Sequence, residues 1–110
     1  MRILIALFLA LSTLAPSTAH AQTGEQIELC NAIGEFVVVV FEARANGVPL
    51  STVLALVMSQ ETTSESEKAV WSEVVQAAYS EPTYHGEEAQ RRQVLTFRAE
   101  VEVACFSGFE

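Results

Sequence analysis

Glu35 and Glu42 sit seven residues apart within an unusually apolar stretch. On a helix that spacing puts both carboxylates on one face, two turns apart. Paired carboxylates at a defined separation hydrolyse glycosides, one as acid and the other as base or nucleophile. Glu28, Asn31 and Asn46 fall on the same stripe, however, and the ordinary role of such a stripe is to face water. Other reactive side chains are scarce. Beyond residue 21 there is no Asp, one His (His85), one Lys (Lys68) and two Cys (Cys30 and Cys105). A Ser-His-Asp triad lacks its Asp, although Glu can substitute. A zinc site wants three or four His, Cys or carboxylate ligands, which one His and scattered Glu supply poorly. No EF-hand loop, Gly-rich phosphate loop or HExxH motif is present. We therefore expect no catalytic, cofactor or metal site and no enzymatic activity, with a carboxylate-based hydrolase as the least favoured reading. His85, followed by Gly86, Glu87 and Glu88, has the neighbours of a pH switch but the setting of an exposed turn.

The cysteines gain meaning from the start of the chain. Residues 1–21 read as a cleavable signal peptide. Arg2 gives a positive start, residues 3–14 an apolar core, and Ala19-His20-Ala21 a small-x-small cleavage site. The apolar run is shorter than the ~20 residues of a membrane span. No Cys follows the cleavage site, which argues against a lipoprotein. The expected location is the periplasm or the outside of the cell, without stable membrane insertion. In that compartment two cysteines pair, and a Cys30–Cys105 bridge would enclose nearly all of residues 22–110. An intermolecular bridge or two free thiols are the alternatives. The remaining 89 of 110 residues allow one domain with one modest core. They hold fourteen Glu against Arg44, Lys68, Arg91, Arg92 and Arg98, a net charge of −9. Such a surface repels nucleic acid and anionic lipid, and suits a basic protein partner or simple solubility.

The elements that must position these residues read as helices. Four consecutive valines, Val37 to Val40, favour a strand locally. Over residues 28–45 the period is 3.6: Leu29, Cys30, Ile33, Phe36, Val37, Val40 and Phe41 share a face. Arg44 suits the negative end of that helix, Gly47 a left-handed cap, and Pro49 a stop. Val39 lies inside the polar stripe and Val38 on its border. Either the helix is central in a small bundle, or it offers an apolar strip to a partner or a second copy. A second, short helix with Ser51 as N-cap is apolar nearly all round, which predicts that it is sandwiched. Ser64 and Glu67 predict a capping box for a third helix, with Val70, Trp71, Val74, Val75 and Ala78 on its buried face. Trp71 reads as a core anchor rather than a stacking platform. Pro82 ends that helix, between Tyr79 and Tyr84. Glu87 and Glu88 open a fourth helix with Val94, Phe97, Val101, Ala104 and Cys105 as its stripe. Glu87–Arg91 and Glu88–Arg92 have the favourable i,i+4 order. Leu95, Val103 and Phe106 fall off the stripe, and residues 107–110 read as a frayed tail. The expected fold is all-α, a small four-helix domain with a disulfide joining the first and last helices.

Cys30, the run Glu42-Ala43-Arg44-Ala45-Asn46-Gly47-Val48-Pro49, the run Ala77-Ala78-Tyr79-Ser80-Glu81-Pro82-Thr83-Tyr84, Phe97 and Cys105 form a pattern. It resembles a group of small, exported, uncharacterised proteins of proteobacteria and their phages. The resemblance covers most of residues 22–110 and implies a bacterial periplasmic setting, but no activity. The Ala-Ala-Tyr-x-x-Pro-x-Tyr segment is either a recognition surface or a helix end whose tyrosines cover the core edge. The leading expectation is a non-enzymatic protein-binding module of the immunity, inhibitor or envelope-adaptor type. Its candidate partner surface is Val38, Val39, Tyr79, Tyr84 and Phe106, and a homodimer stays open. The alternative is a periplasmic acid-stress chaperone whose glutamates lose their charge on acidification and free its apolar helix faces.

Overall fold

The computed structural model describes residues 23–108; the expected signal peptide lies outside them. Four helices follow one another: α1 (Gly24–Ala45), α2 (Leu50–Met58), α3 (Glu65–Ser80) and α4 (Glu87–Ser107). No strand occurs among the described residues, so the valine run yields to the longer period. The Cys30–Cys105 disulfide forms, joining the first helix to the last at a Cα–Cα distance of 5.6 Å.

Local chemistry explains most of the helix ends. α1 begins a turn before the apolar periodicity does. Thr23 Oγ1 accepts from the Gln26 amide at 3.1 Å, and Gln26 Oε1 accepts from the Thr23 amide at 2.8 Å. This reciprocal pair satisfies two donors that the first turn leaves open. At the other end Gly47 takes φ +81°. The Gly47 amide donates to the Arg44 carbonyl and the Val48 amide to the Ala43 carbonyl, the double bond of a glycine-terminated helix. In α3 the Ser64 hydroxyl accepts from the Glu67 amide at 3.2 Å. α2 departs from expectation. Its N-cap is Pro49, not Ser51, and the Pro49 carbonyl accepts from the Val53 amide at 3.3 Å. Proline has no amide to lose at a helix start, and half-buried Leu50 packs against the core, drawing the helix start forward. Ser107 is helical rather than frayed.

α1 is central and touches the other three helices. α2 packs mainly on α3, and α4 packs on α1 alone to any extent. The contacts between elements set the directions. Phe36 meets Trp71 edge-on at 4.6 Å and Arg44 reaches Ala78, so α3 runs parallel to α1. Cys30 joins Cys105 and Phe41 meets Phe97 at 5.3 Å, so α4 runs antiparallel to α1. The core is built from Ile33, Val37, Val40 and Phe41 of α1, Val53 and Val57 of α2, Val74, Val75 and Ala78 of α3, and Phe97 of α4.

Several expected faces are more open than their periodicity implies. α2 is not sandwiched: Leu56 and Met58 stand more than half exposed. Val70 is 45% exposed although it shares a stripe with Val74. On α4 only Phe97 is buried, and Ala104 is exposed. A helix that packs on one neighbour buries a narrow stripe, which is the physical reason on α4; Val70 is open because α4 does not reach across to α3 there. The predicted Glu87–Arg91 and Glu88–Arg92 pairs do not form; among the described residues the ion pairs are Lys68–Glu65 and Arg98–Glu102.

Candidate functional site

Two ends of the molecule differ in how their helices are joined. At the end holding the C-termini of α1 and α3, polar side chains form a clasp. Arg44 donates from Nη1 to the Ala78 carbonyl and from Nη2 to Thr83 Oγ1, both at 2.9 Å. Arg44 thus serves the carbonyl end of α3 as well as its own helix, where orphan carbonyls need donors. Tyr79 Oη donates to the Val48 carbonyl at 2.6 Å. Gln93 and Gln90 donate to the carbonyls of Pro82 and Tyr84 at 2.6 and 2.9 Å. The two runs singled out in the sequence therefore meet, and what they build together is this clasp.

At the opposite end α3 and α4 barely meet, and an apolar cleft of about 530 Å³ lies between them. Leu29 and Ile33 of α1 form its floor. Val70, Trp71, Val74 and Ala77 form one wall, and Val101, Ala104 and Cys105 the other. Ser66, Glu67 and Glu73 line its rim on the α3 side. The disulfide holds α4 against α1 here, so the cleft is bounded by a covalent tether rather than by a closed bundle. Among the described residues no buried side-chain polar atom lacks a partner.

Charge follows the same division. In the cleft half (residues 23–36, 59–74 and 98–108) nine glutamates face Lys68 and Arg98, a net −7. Both cations are engaged, Lys68 with Glu65 at 3.5 Å and Arg98 with Glu102 at 2.9 Å and Asn31 at 3.3 Å. In the clasp half (37–58 and 75–97) four glutamates face Arg44, Arg91 and Arg92, a net −1. The Arg98–Glu102 pair lies across Gly34, where a Cβ would collide with the Glu102 carboxylate.

The residues expected to form a partner surface do not form one patch. Val38 and Tyr84 line a mixed groove of about 920 Å³ between α1 and the start of α4, together with Leu95, Glu42, Arg44 and Arg91. Val39 is 57% exposed and flanked one turn away by Glu35 and Glu42. Tyr79 is half-buried in the clasp and Phe106 half-buried near the end of α4. Glu42 lines the mixed groove and Glu35 does not; Glu35 instead accepts from Asn31 at 3.5 Å. His85 is exposed. Among the described residues no three His, Cys or Glu converge as a metal site would, and both cysteines are consumed in the disulfide. The apolar residues expected in the core are there, Ile33 and Val74 within it and Leu29, Trp71, Val101 and Cys105 packed against it; the open trough beside them is not among the sequence expectations. The chain matches no protein-family model, no curated protein and no solved structure.

Proposed function

We propose that this chain is an exported, acidic, non-enzymatic binding module, and that a protein partner docks in the cleft between α3 and α4. The observation that carries this reading is the cleft itself, an apolar trough with an acidic rim on the α3 side. Three features support it. The disulfide suits an oxidising compartment. No helix among the described residues is long and apolar enough to cross a membrane. The signal-like residues 1–21 and the resemblance to small exported bacterial proteins support a periplasmic or secreted setting. A module of the immunity, inhibitor or envelope-adaptor type needs a shaped surface and little chemistry.

Site-specific photo-cross-linking tests the proposal. A benzoylphenylalanine placed at Val70, on the cleft wall, is expected to capture one polypeptide in the native host. The same group at Val39, exposed on α1 but outside the cleft lining, is expected to capture none. Equal capture at the two positions, or none at either, overturns the proposal.

A further inference from the structure

We infer that the occupant of the α3–α4 cleft is a cationic amphipathic helix; this rests on the binding-module reading and adds the chemistry of the partner. The first argument is periodicity. The cleft is lined by helical rows, Leu29 and Ile33 on its floor and Val70, Val74 and Ala77 on one wall. The wall spans seven residues, about 10 Å at the helical rise, so it accepts two turns of an incoming helix. The apolar side chains of such a helix would recur at i, i+3 or i+4, and i+7. The second argument is backbone accounting. An extended peptide laid in this trough would bury amide and carbonyl groups against apolar walls. No sheet edge exists among the described residues to pair with them. A helix satisfies its own backbone and presents only side chains.

The third argument is charge. The occupant's outer face meets Glu67 and Glu73 in a half-molecule of net −7 whose two cations are already paired. A cationic face complements that field, which favours both encounter and register. A second copy of this chain brings the same negative charge to the interface, and an anionic lipid surface is repelled in the same way.

Trp71, the sole tryptophan, lines the cleft and reports its occupancy. The probe is a synthetic leucine–lysine peptide patterned as an amphipathic helix, titrated into the disulfide-bonded protein while Trp71 emission is followed. Two controls are a leucine–glutamate peptide of the same pattern and a leucine–lysine peptide of scrambled order. Only the patterned cationic peptide is expected to bind one-to-one and shift the emission to the blue. Filling the cleft with Ala77→Leu and Ala104→Leu, both at exposed helical positions and without change of charge, should weaken it about 10-fold. Glu67→Lys with Glu73→Lys should do the same, whereas Glu87→Lys with Glu88→Lys in the clasp half should not. Equal binding of the scrambled peptide, or indifference to cleft filling, overturns the inference. So does a cleft-dependent dimer in sedimentation. Cross-linking from Val70 to a partner segment that is neither helical nor basic leaves the module standing and removes this occupant. Failure of that cross-link removes the module itself.

Discussion

The clasp end and the cleft end solve the same problem with different chemistry. Both must hold α4 and α3 in place around α1. At the clasp, five hydrogen bonds from Arg44, Tyr79, Gln90 and Gln93 reach the ends of helices and the connection between them. Each bond is specific in direction, so the helix ends are fixed, and the groove left beside them is mixed, with Glu42, Arg44 and Arg91 among its apolar residues. At the cleft, one disulfide and the Asn31–Arg98–Glu102 network tether α4 to α1, and nothing comparable draws α4 onto α3. The difference shows why a small all-α domain can leave an apolar trough open. A covalent tether supplies the stability that closing the bundle would otherwise have to provide, and the trough stays uncovered.

The comparison breaks most decisively at the tether. The disulfide spans 75 residues of sequence, and loop-closure entropy assigns such a bridge about 4–5 kcal/mol. Replacing Cys30 and Cys105 together by Ala is expected to cost that much, read as a lower urea midpoint in chemical denaturation. A loss below about 1 kcal/mol would show that the cleft end is held by its packing and not by the bridge. A smaller loss is expected at the other end. Arg44→Ala removes a charged donor from the carbonyl of buried Ala78 and from Thr83, costing about 1.5–3 kcal/mol. Tyr79→Phe removes one neutral bond, costing about 1 kcal/mol. Neither change should alter peptide binding in the cleft; coupling between them would mean that the two ends are one cooperative site.

The two ends also differ in how legible they are in the sequence. Gly47, Pro49, Ser64 and Pro82 mark helix ends through backbone chemistry that acts over a few residues, and the structure follows them. Pro49 reads as a stop for α1 and serves as the cap of α2, because the same missing amide suits both roles. Thr23 and Gln26 have the residue types and spacing of a capping box, and it forms a turn ahead of the apolar periodicity. The disulfide followed from two cysteines and an export-like start. The cleft was not legible. Val70, Val74, Val101 and Cys105 have the same periodicity whether α4 leans onto α3 or away from it. Periodicity tells which side of a helix is apolar, but not whether a neighbour arrives to cover it. The clasp was half legible: its segments stood out, yet the partner of Arg44 lies 34 residues away in sequence. Gly34 was the one signal of close helix approach that residue type alone could have raised.

Gly34 gives the smallest predicted effect and the sharpest one for the cleft end. It is buried in the middle of α1, where glycine costs about 0.5–1 kcal/mol relative to alanine. A Cβ there would strike Glu102 and crowd Arg98 Nε, so gaining helix propensity means displacing the ion pair. That pair is about one-third exposed, with side chains at 28% and 32%, and such pairs are worth about 0–1 kcal/mol. The two terms therefore oppose each other at similar size, and Gly34→Ala alone should change stability little. In an Arg98→Ala, Glu102→Ala background the collision is gone and only propensity remains. There the same substitution is expected to stabilise by about 0.5–1 kcal/mol, a non-additivity that a thermodynamic cycle measures directly. Identical effects in both backgrounds would mean that α4 can move off Gly34 at no cost. The disulfide would then be holding a loosely seated helix, and the cleft would have no fixed width for a partner to read.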